Sequence, residues 1–223
     1  SDASHELKTP LAAIRLLTDS ILQTDNIDPE TTREFVTDIG QEAERLSRIT
    51  EDLLRLTRLD SGVLDPPAVV DVLPVLEQVM RMMSLIAQEK GTELTYRSEG
   101  TCTVLSSRDE IHQIIYNLTD NAVKYSPSGS TVQVSLFREA GQVVLTVEDN
   151  GAGIPEEDLP RLFERFYRVD KARSGAAGGT GLGLAIVSDT VERRGGTVTA
   201  ANRPSGCAVF TVRWPWREGG TQP

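Results

Sequence analysis

Cysteine is nearly absent from this sequence, as are histidine, long apolar runs and net positive charge. Cys102 and Cys207 are the only cysteines, far apart in a chain of 223 residues. Two thiols so placed exclude a disulfide scaffold or a four-ligand zinc site within one chain, and a reducing compartment is the simpler setting. No stretch of about 18 apolar residues occurs, so these residues do not cross a bilayer as a helix. No secretory pattern opens the chain. It begins at Ser1, almost inside a helical pattern, as expected of a portion of something longer. The 23 Lys+Arg against 33 Asp+Glu give a formal charge of -10, which argues against nucleic acid as the main partner. An apolar share of 39% with 25% charged residues describes a globular protein of one large or two modest domains. Two phosphate-binding signatures are also missing. No GxxxxGK[ST] segment exists. GTGLGL lies too late, without the preceding strand and following acid of a dinucleotide fold.

What is present first is helix. In HELKTPLAAIRLLTDSILQT, Leu7, Leu11, Ile14, Leu17 and Ile21 recur at three- and four-residue spacing, one face of a helix over 5–24. Pro10 removes a backbone donor and predicts a bend. Asp28-Pro29 starts a second helix. Phe35, Ile39, Ala43, Leu46, Ile49, Leu53 and Leu56 carry its apolar stripe to about Leu59. The two form an αα-hairpin turning near 25–28. Their apolar faces lack a third layer, so a homodimeric four-helix bundle is expected. Packing on the same chain's second domain is the alternative.

Gly62, Pro66 and Pro67 mark a linker. Beyond it the pattern is mixed. Helices are expected over 71–89, 108–124 and 182–194. Strands are expected over 92–97, 103–105, 131–137, 142–148, 197–201 and 208–214. Ala140-Gly141 joins a hairpin, and short helical turns fill 156–168. Residues 172–180 are small and glycine-rich. One helical layer on one antiparallel sheet is the expected arrangement.

Several segments carry chemistry. DNGAGIP puts Asp149 at a strand end ahead of Gly151 and Gly153. A carboxylate there suits the amino group of a base, and the glycines allow close ligand approach. GGTGLGLAI sets Gly178, Gly179, Gly181 and Gly183 at a helix start, where free amides suit phosphate oxygens. Asn117 and Asn121, four apart, share a helix face, with Lys124 nearly in line. Amide oxygens suit Mg²⁺, and the lysine offsets phosphate charge. Two ordinary glycine loops and a solvated helix face are the bland alternatives. His5, beside Glu6 and ahead of Pro10, is placed to act as a nucleophile, whereas His112 carries no assigned chemistry.

SHELKTPLAAI at 4–14 resembles the phosphoacceptor box of bacterial sensor histidine kinases. QIIYNLTDNAVKYS at 113–126 resembles their asparagine box. DNGAGI at 149–154, FERFYR at 163–168 and GGTGLGLAI at 178–186 resemble their first glycine, phenylalanine and second glycine boxes. All five stand in family order. Lys8 replaces the more usual Arg, and most of the helix that precedes the histidine in the family is missing.

The resemblance implies a two-domain fold: an α-helical hairpin forming a dimeric four-helix bundle, then an α/β sandwich that binds ATP, of the histidine kinase, gyrase and chaperone type. It implies dimerisation and phosphotransfer in 1–62, a linker over 63–70, the catalytic domain over 71–216 and a tail over 217–223. His5 would be phosphorylated and Glu6 would orient or deprotonate it. Asn121 and Asn117 would hold Mg²⁺, Lys124 would contact phosphate, and Tyr125 would lie beside the nucleotide. Asp149, with Gly151 and Gly153, would hold adenine. Arg165, Arg168, Gly179, Thr180, Gly181, Leu182 and Gly183 would belong to a lid over 154–180 and its return to the helix. The implied reaction is ATP-dependent autophosphorylation of His5 and transfer to an aspartate of a response regulator, in the cytoplasmic part of a membrane-bound sensor. The alternatives are a regulator phosphatase using Thr9, a silent nucleotide-binding scaffold, and a chaperone or topoisomerase fragment, which nothing in residues 1–60 supports.

Overall fold

The computed structural model describes residues 2–24, 26–62, 66–169, 179–204 and 206–218. Helix α1 (Asp2–Gln23) passes through Pro10 without interruption. Helix α2 (Pro29–Asp60) starts where Asp28 accepts the N–H groups of Glu30 and Thr31, with proline at the first helical position. The two lie side by side as a hairpin. Ile14, Leu17, Ile21, Phe35, Ile39 and Leu46 are only half-buried in one chain. Leu11 (55%), Leu16 (68%) and Leu22 (77%) are exposed, an apolar surface that a lone hairpin cannot cover.

The second unit opens with β1 (Ala68–Asp71), which pairs antiparallel with β3 (Thr103–Ser106). Part of the stretch expected as linker, 63–70, is therefore strand, while 63–65 lie outside the described residues. Helix α3 (Val72–Glu89) is capped by Asp71. Strands β2 (Glu93–Glu99), β4 (Thr131–Glu139), β5 (Gln142–Asp149), β6 (Thr197–Asn202) and β7 (Ala208–Pro215) form a sheet in the order β2-β4-β5-β7-β6. The expectation of an antiparallel sheet is corrected here: β2 runs parallel to β4, and the sheet is mixed. The chain must cross over through α4 (Arg108–Tyr125) before β4, and such a crossover delivers a parallel neighbour. Ala140 and Gly141, both at positive φ, make the two-residue turn between β4 and β5.

Helices α3, α4 and α5 (Gly183–Arg193) cover one sheet face, and the main core lies between. Ser107 and Glu110 close a capping box at the start of α4. Glu110 also pairs with Arg194 beyond α5 at 2.8 Å, with side chains 14% and 8% exposed. Burial alone would raise the Glu110 carboxyl; the guanidinium and the hydrogen bonds of Ser107 and Ser106 outweigh it and hold the group below its ordinary value. At the C-terminal end, Trp216 bridges to Val104 and Arg217 N–H donates to Thr103 O, so the expected tail is in part bonded into the fold. Residues 219–223 lie outside the described residues.

A smaller cluster joins the units. Leu56 and Leu59 of α2 meet Leu182 and Ile186, with Leu53 and Phe166 alongside. The end of α2 thus packs on the chain's own second domain, while the apolar face of α1 stays open to the dimer that the pattern favours.

Candidate functional site

His5 and Thr9 are exposed one helical turn apart, and Glu6 is half-buried. The Thr9 hydroxyl donates to His5 O at 3.1 Å. Arg45 of α2 lies 3.5 Å from the Glu6 carboxylate and 3.8 Å from Glu42. Its place is legible in principle, because residues 5 and 45 stand at similar distances from the turn, yet the local pattern of α2 shows only its apolar stripe.

On α4, Ile111, Ile114, Ile115, Leu118 and Ala122 are buried, and Asn117, Asn121 and Lys124 occupy the other side. Asn117 Nδ2 donates to Gly183 O at 3.1 Å, so the asparagine helix touches the start of α5. A Cβ on Gly183 would lie 3.5 Å from the Asn117 amide, and one on Gly179 would lie 3.1 Å from Lys124 Nζ. The two segments singled out in sequence therefore face each other. Burial lowers the Lys124 pKa; Asp120 opposes this, while Arg48, Arg168 and Lys90 add to it. Burial raises the Asp120 carboxyl against the pull of Lys124, Arg48 and Lys90. Four cations thus converge on one carboxylate-bearing helix face, a field suited to a polyanion. The sequence pattern singles out Lys124 and Arg168 from this set; Arg48 and Lys90 come from elements distant in the chain. Lys90 Nζ also caps α4 by donating to Val123 O at 2.5 Å and to Lys124 O.

Asp149 ends β5 and is 5% exposed. Its Oδ1 accepts Gly151 N–H at 2.8 Å. Burial pushes its carboxyl up, partly offset by main-chain hydrogen bonds from Gly151 and Ala208. A Cβ on Gly151 would meet Asp149 Oδ1 at 2.7 Å and Tyr125 O at 3.2 Å, which places the first glycine box against the end of α4. Gly153 takes φ +72. The Tyr125 ring is 60% exposed.

The remaining expected residues divide. Arg168 lines a cleft of about 590 Å³ together with His5, Glu6, Arg161, Glu164 and Arg165. Its charge also acts on Lys124. Arg165 lines the same cleft, but its guanidinium is taken by Asp60 (2.9 and 2.7 Å) and Asp189 (2.9 Å), which hold its pKa far above the ordinary value. Thr180 donates to Asp52 Oδ2 at 2.8 Å. Leu182 is fully buried in the cluster between the units, and its N–H goes to Thr180 Oγ1 at 3.2 Å. Arg165, Thr180 and Leu182 thus all take part in the contact with α2. Gly181 sits at φ +70, where a Cβ would strike Phe166 at 2.9 Å; Phe166 N–H donates to Gly181 O at 2.9 Å. Residues 170–178, including Gly178, lie outside the described residues.

Among the described residues no group of three His, Cys, Asp or Glu side chains is placed to hold a metal ion. Mg²⁺ takes one or two protein oxygens and completes its shell with water and substrate phosphates. The amide oxygens of Asn117 and Asn121, beside Lys124, fit such an ion.

The family model for the His Kinase A (phospho-acceptor) domain matches residues 1–62. The model for the histidine kinase-, DNA gyrase B- and HSP90-like ATPase matches 106–218. The chain belongs to the bacterial sensor histidine kinases. Enzymes of this family autophosphorylate a histidine with ATP and pass the group to a response regulator, and the ATPase domain implies capacity for ATP and Mg²⁺. Histidine kinases similar to this one include the sensor-like histidine kinase SenX3 of Mycolicibacterium smegmatis, 35% identical over 216 residues that cover 96% of this chain and 56% of the relative. BaeS of Escherichia coli is 35% identical over 217 residues, covering 96% and 46%. The chain spans about half the length of the curated relatives it matches. Among solved kinase structures, AdeS of Acinetobacter baumannii superposes with a TM-score of 0.76 at 26% identity, covering 96% of this chain and 98% of that one. ShkA, solved in complex with AMPPNP, superposes at 0.73 and 29% identity, covering 98% and 45%.

Proposed function

We propose that this chain transfers the γ-phosphoryl group of ATP to His5 and then to an aspartate of a response-regulator receiver domain. The observation that carries the reading is the placement of Arg168. It lines the cleft that His5 opens into, and it acts electrostatically on Lys124 beside the paired asparagines. Asp149 binds the adenine amino group with its carboxylate, with Gly151 and Gly153 leaving room for the base. Lys124 offsets phosphate charge, and Asn117 and Asn121 hold Mg²⁺, which when bound neutralises the phosphates. Glu6, steadied by Arg45, orients the imidazole. The His5 ring nitrogen remote from the backbone forms the new N–P bond as the bond from γ-phosphorus to the β-bridging oxygen breaks; ADP leaves, and the ring proton passes to Glu6. Positioning and electrostatics supply most of the rate. The AMPPNP bound by ShkA supports the nucleotide reading.

The exposed leucines of α1 support a homodimer through the hairpin. Attachment of the whole protein to a membrane belongs to the proposal too; no helix among the described residues is long and apolar enough to cross one. Thr9, exposed one turn from His5, supports a second activity: holding the water that hydrolyses the regulator's aspartyl phosphate.

Incubation with Mg²⁺ and γ-labelled ATP should give an acid-labile, base-stable label. His5→Gln should abolish it while nucleotide binding persists. Unchanged labelling in that variant would overturn the assignment.

A further inference from the structure

We infer that Asn202, at the end of β6, is a positioning residue for nucleotide binding, acting through the loop that follows Asp149. This rests on the reading of Asp149 as the adenine acceptor. The Asn202 carboxamide makes two hydrogen bonds to one residue: Ile154 N–H donates to Oδ1 at 2.9 Å, and Nδ2 donates to Ile154 O at 2.6 Å. One side chain thus does for Ile154 what a neighbouring strand would do, satisfying both main-chain groups where the loop leaves the sheet.

The same end of the sheet holds Asp149 itself. Asn202 pairs in register with Ala208 of β7, whose main-chain N–H helps to lower the Asp149 carboxyl. Between the two anchor points the loop is pressed against the β6–β7 connection. A Cβ on Gly153 would lie 2.2 Å from Gly206 O and 2.9 Å from Asn202 Oδ1. Gly206 N–H in turn donates to Arg203 O at 2.8 Å, which closes that connection. The path from Asp149 to Ile154 is therefore fixed at its start by Gly151 and at its end by Asn202. Releasing the end frees Gly151 and Gly153 to move. The hydrogen bonds that aim the carboxylate then loosen with them. Asn202 touches neither phosphate-facing helix nor His5, so its effect falls on base binding and not on phosphoryl transfer.

The test uses the full chain and calorimetric binding of adenosine, ADP and ATP to wild type, Asn202→Ala, Asp149→Asn and the double variant. Asn202→Ala should weaken all three ligands by a similar factor of about ten, with the turnover at saturating ATP within about twofold. Because Asn202 works through Asp149, the double variant should bind no more weakly than Asp149→Asn alone. Should Asn202→Ala fail to fold, Asn202→Asp serves instead: it keeps an acceptor for Ile154 N–H, loses the donor to Ile154 O, and should weaken binding by a smaller factor. Wild-type affinity in the variant that folds overturns the proposal, as does a double variant that multiplies the two losses. If Asp149→Asn itself binds ATP normally, the adenine reading falls and this inference falls with it; loss in Asp149→Asn without loss in Asn202→Ala removes the Asn202 role alone.

Discussion

The two ends of the proposed nucleotide cradle are built in opposite ways. At the adenine end, Asp149 is buried, its carboxylate is fixed by main-chain N–H groups, and its loop is backed by the sheet. All of it comes from one domain. At the phosphate end, Lys124, Gly179 and Arg168 come from separate segments, and Arg48 and Asp52 of α2 reach in from the other unit. In the proposed reading, recognition of the base is pre-formed by folding. Handling of the phosphates depends on where the hairpin stands, so signal control by domain rearrangement would act on the second end and leave the first alone.

The largest test bears on the support common to both ends. Arg194→Ala leaves the Glu110 carboxylate buried without its partner and should cost about 3–5 kcal/mol, read from denaturant melts. A loss below about 1 kcal/mol would show that α4 and α5 are held by packing alone. The lowered Glu110 value fixes the sign of the pH effect. The stabilisation is complete above the ordinary glutamate value of 4.5 and disappears as pH falls through the lowered one.

Asp149→Asn addresses the rigid end. Replacing one acceptor oxygen by a donor should weaken ATP binding by about 1.5–3 kcal/mol and blunt discrimination against GTP. Thermal stability should not fall, because the substitution removes a buried charge whose folded-state value is raised. For the same reason wild-type ATP affinity should begin to decline at a higher pH than an ordinary aspartate would give. Equal ATP affinity in the two proteins would dissolve the contrast.

Arg165→Ala addresses the movable end. If Arg165 ties the units through Asp60 and Asp189, ATP affinity should stay within about twofold, while small-angle scattering shows the units further apart. A large loss of affinity with unchanged scattering would assign Arg165 to the nucleotide site instead. The smallest effect is expected from Thr9→Ala. Its hydroxyl bonds only to the turn behind it, so labelling of His5 should persist while dephosphorylation of the cognate regulator slows. Equal dephosphorylation rates would discard the phosphatase role.

What the sequence disclosed follows from how local each signal is. The long helices were legible because their apolar positions repeat within one element, and Asp28 and Ala140-Gly141 mark their own termini and turn. Strand β1 was not legible: four residues behind two prolines, with only Val70 partly covered, show no alternation. The parallel pairing of β2 with β4 depends on a crossover that no local pattern reports. Asp149 and the asparagines stood out because their glycine neighbours advertise them. Arg45, Arg48 and Asn202 did not, since each works on a residue far away in the chain and looks locally like a solvated side chain.

The order of the main sheet also sets a timetable. β7 is made last of the five strands yet lies between β5 and β6, and Trp216 and Arg217 just beyond it bond to β3. During synthesis the hairpin, built from neighbouring helices, can form as soon as it leaves the ribosome, whereas the sheet stays open through its middle until β7 has emerged. Its Val and Leu faces must remain apart from those of other nascent chains throughout that interval. A premature stop before Ala208 would leave a finished hairpin, able to pair with full-length copies, attached to an ATPase domain that cannot close.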